Sequence, residues 1–148
     1  LEWDEYERLR DMALRSAERF LVLYRSVPDP DRSENPVRRT FYGAVPRTAR
    51  EMYEHTNRVT AYYAAAFGIE LENMPDIYAN RMQVLSELED LPDFLSGKVY
   101  TADDGEEWTM RKALRRFLWH DRIHAKAMWR TAKALWGEDV ANPFYFVG

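Results

Sequence analysis

The chain has 148 residues, 46% of them apolar, with 25 acidic against 21 basic residues and a formal charge of −4. That length suits one domain with a real core; the absence of cysteine excludes disulfides, thiolate ligands and a cysteine nucleophile, and basic residues scattered among acids speak against a nucleic-acid binder. No apolar run approaches the ~18 residues that span a bilayer, and the opening LEWDEYERLR, charged from its second residue, does not read as a secretory signal, so a cytoplasmic domain over 1–148 without membrane partners is expected.

Taken in chain order, the first helix is expected over Glu2 to Ser26, where Leu9, Met12, Ala13, Ala17, Phe20, Leu21 and Tyr24 recur at helical spacing. Three prolines in VPDPDRSENP end it, and a loop runs on to Val45, long enough to cover something rather than merely connect. The second helix is expected from Pro46, suited to a first turn, to Gly68, suited to a C-terminal cap. Its inward stripe reads Met52, His55, Val59, Tyr62, Tyr63 and Ala66. The third spans Pro75 to Leu91, with Ile77, Met82, Leu85 and Leu88 on its buried side. A hairpin is expected around Asp104-Gly105, then a long fourth helix from Trp108 to Trp136, with Thr109 or a nearby acid as its cap and Gly137 as its stop. The aromatic tail EDVANPFYFVG is expected to pack on the helices, because three aromatics exposed together are unfavourable. The fold class is therefore all-α.

All three histidines fall on inward faces. His120 and His124 are one turn apart in the fourth helix, on a side that also carries Ala113, Phe117, Ala127, Met128 and Thr131. His55 lies on the inward side of the second helix, between Met52 and Val59. Two inward imidazoles one turn apart can share a metal ion. Buried imidazoles that serve only packing would each need a hydrogen bond or a neutral state, whereas a metal shared by helices two and four would satisfy three lone pairs at once. The residues leave both readings open. Glu51, one turn before His55, is a candidate to orient its ring or add a ligand. Asp121, about 100° round the helix from His120, is a candidate partner behind the ligands rather than a ligand. Trp119 and Trp129 read as packing residues, and Tyr62 and Tyr63 are the inward hydroxyls near His55.

With REMYEHTNRV on the second helix and LRRFLWHDRIHAKAMWR on the fourth, the chain resembles the DinB/YfiT-like metalloenzymes over most of its length. The resemblance implies a four-helix bundle of up-down-down-up order, a divalent metal (zinc, nickel, manganese or iron) held by His55, His120 and His124, and a homodimer. It also implies a small-molecule substrate: some members transfer low-molecular-weight thiols to electrophiles, others are regarded as hydrolases using metal-bound water, and a non-catalytic metal- or ligand-binding bundle of the stress response is a further alternative. Three neutral nitrogen ligands leave positions open on a metal, which is the pattern of a catalytic site. From the length of the first loop, Arg32, Arg38 and Arg39 are expected to border the opening and attract a carboxylate-bearing thiol. One tension stands: that topology needs a crossing connection between helices two and three, and the six residues from Ile69 to Met74 reach only about 20 Å. Either a helix is shorter than drawn or the helices connect more conventionally.

Overall fold

The helical spacing is realised in four α-helices among the residues that the structure, a computed structural model, describes: 1–41 and 43–148. α1 covers Trp3–Ser26, α2 Ala49–Ala66, α3 Ile77–Glu89 and α4 Met110–Trp136, followed by a 3-10 turn at Gly137–Asp139. Among the described residues the only strands form two small antiparallel hairpins, β1 (Arg39–Thr40) with β2 (Gly43–Ala44), and β3 (Tyr100–Thr101) with β4 (Glu107–Trp108). The second is the hairpin expected around Asp104-Gly105. None of the described helices is long and apolar enough to cross a membrane.

Side-chain caps set three of the helix starts. Thr48 Oγ1 accepts the Glu51 N–H at 3.1 Å, Asp76 Oδ1 the Ala79 N–H at 2.9 Å, and Thr109 Oγ1 the Lys112 N–H at 3.2 Å. Pro46 therefore lies outside α2, just before the cap rather than in the first turn. α4 stops at Gly137, whose φ of +57° is one that glycine adopts without steric penalty.

The tension over the second connection resolves because both flanking helices are shorter than expected. The segment between α2 and α3 is 67–76. Ten extended residues reach ~33 Å, more than the ~27 Å length of an 18-residue helix. The segment runs back along α2, bonded to it step by step. Asn73 accepts from the Ala61 N–H (3.1 Å) and donates to the Arg58 carbonyl (3.1 Å). Asn57 donates to the Met74 carbonyl (2.7 Å), and Tyr53 donates to that of Pro75 (3.0 Å). The Tyr53 hydroxyl then accepts the Ile77 N–H at 2.8 Å, so the start of α3 lies beside the start of α2.

Contacts at the ends give the other directions. Glu5 pairs with Arg111 (2.6 Å), Ser16 bonds Asp121 (2.7 Å) and Ser26 accepts from the Ala141 N–H (2.9 Å), so α1 and α4 run in the same sense. Tyr6 donates to Glu89 (2.7 Å) and Arg25 pairs with Asp76 (3.6 Å), so α3 opposes α1. α1 packs chiefly on α3 and α4, as does α2, while α1 and α2 share little contact.

The apolar core forms two clusters. One gathers Phe20, Leu23, Met52, Ile77, Met128 and Trp129; the other gathers Tyr6, Tyr63, Val84, Leu88, Leu114 and Phe117. Between them along each helix lies a belt of buried polar residues: Ser16, Thr56, Asn57, Thr60, Asn80, Arg81, His120 and Asp121. At its centre Arg81 Nη1 and Nη2 donate to Asp121 Oδ2 and Oδ1 (2.9 and 2.8 Å), and Nη1 also reaches the Ala13 carbonyl (2.9 Å). The guanidinium carbon stands 4.3 Å from the Phe117 ring centroid.

This belt explains where the expected faces were wrong. The buried stripe of α3 is Ile77, Asn80, Arg81, Val84, Leu85 and Leu88, so Met82 falls outside it and is exposed. Two polar residues occupy positions where apolar periodicity marks the core. Met12 and Trp119, expected inside, are also exposed, while Trp129 is buried as expected. In the tail, Phe144 and Phe146 pack, and Tyr145 points into solvent.

Removing one member of the pair leaves an uncompensated charge in the core. Asp121→Ala should cost about 3–5 kcal/mol in urea unfolding, and combining it with Arg81→Met should recover most of that loss. A single variant within 1 kcal/mol of the parent would show that the pair is not buried as described.

Candidate metal centre

α2 and α4 run antiparallel side by side: Tyr63 meets Trp108 and Phe117, with ring centroids 5.1 and 5.0 Å apart, near the start of α4. His55, two turns earlier in α2, therefore comes level with His120 and His124. The three rings form a triangle, with centroids 5.2 Å (His55–His120), 4.6 Å (His55–His124) and 4.4 Å (His120–His124) apart. One ligand nitrogen from each lies within 4.8 Å of the others. Three nitrogens about 2 Å from one ion lie within 4 Å of each other, so modest ring rotation closes the set. His120 is buried, whereas His55 and His124 are partly exposed at the groove between the helices.

The electrostatics favour neutral, ligating imidazoles. Burial pulls His120 down to about 3, with smaller contributions from His124, His55, Arg81 and Arg116. Burial likewise lowers His124 to about 4, helped by His55 and opposed by Asp121. His55 is lowered by burial and by Arg58. His120 Nδ1 is buried with no hydrogen-bond partner, so protein groups do not satisfy this ring as they usually do for a packed core histidine. The donor set and the unpartnered nitrogen fit a divalent ion.

The two candidate supporting carboxylates are engaged elsewhere. Glu51 accepts the Arg47 N–H at 2.8 Å, while its own N–H goes to Thr48. It belongs to the α2 cap, and the pattern Thr48-x-x-Glu51, a helix-start signature, is the signal that assigns it there. Both oxygens of Asp121 are taken by Arg81 and Ser16. Asp121 acts on His124 through space, and among the described residues neither acid hydrogen-bonds a histidine ring. Arg81, which closes the belt beside His120, and Ser16 were not marked in the sequence; a lone arginine within an apolar stripe is the only trace they leave.

The hydroxyls divide. Tyr63 is buried, its ring centroid 6.4 Å from that of His120, and burial raises it to about 12, so it keeps its proton at neutral pH. Tyr62 turns outward and donates to Asp104 at 2.9 Å. The two ends of the α2–α4 groove are covered, by the β3–β4 hairpin through Glu106–Arg116 (3.2 Å) and by the first loop through Asn35–Thr131 (2.8 Å).

No protein-family model, curated protein or solved structure matches the chain.

Two measurements follow. Three ordinary histidines titrating near 6.5 would lose about fiftyfold in Zn²⁺ affinity between pH 7.5 and 6, because protons and metal compete for the same lone pairs. With His120 and His124 already deprotonated well below pH 6 and His55 below its ordinary value, the affinity measured by calorimetry should fall less than about fourfold. A fiftyfold loss would place the rings in water. Glu51→Gln should leave the metal content of purified protein unchanged and cost about 0.5–1 kcal/mol of stability, as a weakened helix start does. Loss of metal instead would return Glu51 to the site.

Proposed function

We propose that this chain is a divalent-metal enzyme of the DinB-like kind, in which His55, His120 and His124 hold one ion and a low-molecular-weight thiol is transferred to an electrophilic small molecule. The observation that carries the reading is the convergence of every histidine of the chain, with nitrogens within 4.8 Å of one another and the rings of His55 and His124 partly exposed. The helix directions support the bundle type: α1 and α4 run one way and α2 and α3 the other, an up-down-down-up order, with a connection at 67–76 long enough to cross. Zinc, nickel, manganese and iron(II) all accept imidazole, so the ion is left to elemental analysis. A homodimer in the cytoplasm belongs to the same reading.

A divalent ion bound there supplies the positive charge that lowers the pKa of a thiol brought against it. The chain itself does three things. It offers only neutral ligands, so the ion's charge is not cancelled by protein carboxylates. It keeps those ligands unprotonated at neutral pH through burial. It lacks cysteine, so the sulfur must arrive with the substrate. In the transfer the thiol proton goes to solvent, the sulfur forms a bond to the electrophilic carbon, and the displaced group departs with the bonding electron pair.

Hydrolysis would call for a base to take a proton from water. Among the described residues the nearby candidates are engaged or unsuited: Glu51 caps α2, Asp121 pairs with Arg81, and Tyr63 stays protonated. That favours thiol transfer over the hydrolase reading.

Purified protein should hold about one divalent ion per chain, and His124→Ala should abolish it. Metal-loaded protein should accelerate conjugation of at least one cellular thiol to a model electrophile, and the acceleration should vanish with chelation and in His124→Ala. Loaded protein that accelerates no thiol, yet cleaves an ester or amide in the same metal-dependent way, would make the hydrolase the right reading. Loaded protein that does neither would make it a binding module.

A further inference from the structure

The first loop is fixed over one end of the α2–α4 groove. Asn35 donates to Thr131 Oγ1 on α4 (2.8 Å) and to the Arg47 carbonyl (3.2 Å), Arg47 Nε returns a bond to the Asn35 carbonyl (3.0 Å), and the Val45 N–H reaches the Arg38 carbonyl (2.9 Å). Beneath it is a cavity of about 280 Å³. Its apolar wall includes Met52 of α2 and Ala127 of α4, and each of these lies three residues from a histidine, Met52 from His55 and Ala127 from His124. The cavity therefore begins one helical turn from the imidazoles. Its charged lining is Arg38 from the loop and Arg130 from α4, with no acidic residue. Neither guanidinium has a carboxylate partner among the described residues. Arg32 and Arg39, the other two loop arginines, do not line it.

Two unpaired guanidiniums facing an apolar-walled cavity that contains no acid suit a carboxylate carried on a short apolar stem. We propose that Arg38 and Arg130 form a carboxylate subsite of the metal centre, so that the small molecule bound there is an anion whose carboxylate sits ~5–10 Å along α4 from its metal-binding atom, the rise from His124 to Ala127 or Arg130. The inference rests on the metal reading above and narrows its substrate class.

The test uses two ligand pairs of equal length on Zn²⁺-loaded full-length protein, with calorimetric affinities as the readout. One pair is 6-mercaptohexanoate and 6-mercaptohexanol. The other is the monohydroxamate of adipic acid and hexanohydroxamic acid, which bind metal without a thiol. In each pair the carboxylate member should bind about tenfold more tightly at low salt, and the preference should shrink in 0.5 M salt. Arg38→Ala and Arg130→Ala should each reduce it and together abolish it, with metal content unchanged, since both side chains are exposed and neither is a ligand. Equal affinities within the hydroxamate pair, or a preference that survives the double variant, would overturn the subsite. A preference confined to the hydroxamates, with neither thiol bound, would uphold the subsite and refute the thiol reading. Failure of all four to bind loaded protein would overturn both.

Discussion

The arrangement depends on one buried ion pair. Arg81 and Asp121 are almost wholly removed from solvent, and their hydrogen bonds extend to Ser16 and the Ala13 carbonyl on α1. Three helices meet at this pair, and its bidentate geometry tolerates little sliding between them. A charge pair so deep is not primarily a source of stability, because desolvation offsets much of the attraction. Its effect is to fix register. Any slip of α4 along α3 would separate the charges, leave each unpaired in the core and raise the energy steeply. The same register places His120 and His124 opposite His55.

The pair also explains why the core is divided. Apolar clusters fill both ends, but at the level of Arg81 the interior is polar on every helix: Ser16 on α1, Thr56 and Asn57 on α2, Asn80 on α3 and Asp121 on α4. Asn80 binds both the Asn57 and Asn73 side chains (2.9 and 3.0 Å), tying α3, α2 and the returning segment 67–76 together. The connection that lets α3 run parallel to α2 is thus held by the same belt that holds the histidines. Loss of an amide there would loosen topology and site together.

The number of helices and the sides of them that carry the histidines were legible from the sequence because they rest on periodicity, which apolar side chains record directly; the helix directions were not, since periodicity carries no sign of them. Ends were less legible. Pro46 looks like a first turn, yet the local hydrogen bonds of Thr48 and Glu51 decide where α2 begins; spacing one turn before His55 made Glu51 a candidate beside the histidines, and could not show that its carboxylate turns back to the Arg47 N–H. Burial of Arg81 was illegible, since a lone arginine in a stripe carries no mark of the aspartate forty residues away that neutralises it. Tyr62 and His55 share one edge of α2, two turns apart, and sequence spacing could not show that the groove covers His55 while Tyr62 has turned out to Asp104. The folded loop at 27–48 was legible as unusual in length, but its docking on Thr131 depends on a single asparagine.

The distribution of carboxylates determines what the groove can receive. The chain has more acids than bases, yet among the described residues none joins the cluster of three imidazoles: Asp121 is neutralised by Arg81, Glu51 closes a helix end, and Glu106 pairs with Lys112 and Arg116. Three neutral donors would leave the double charge of a bound ion uncompensated in a half-buried site, where water screens it weakly. An anion arriving from outside would offset that charge. The guanidiniums of Arg38 and Arg130, in the neighbouring cavity, add positive charge instead of relieving it. Among the described residues the three imidazoles thus form a donor set with no carboxylate of its own, beside a cavity whose charged lining is wholly basic.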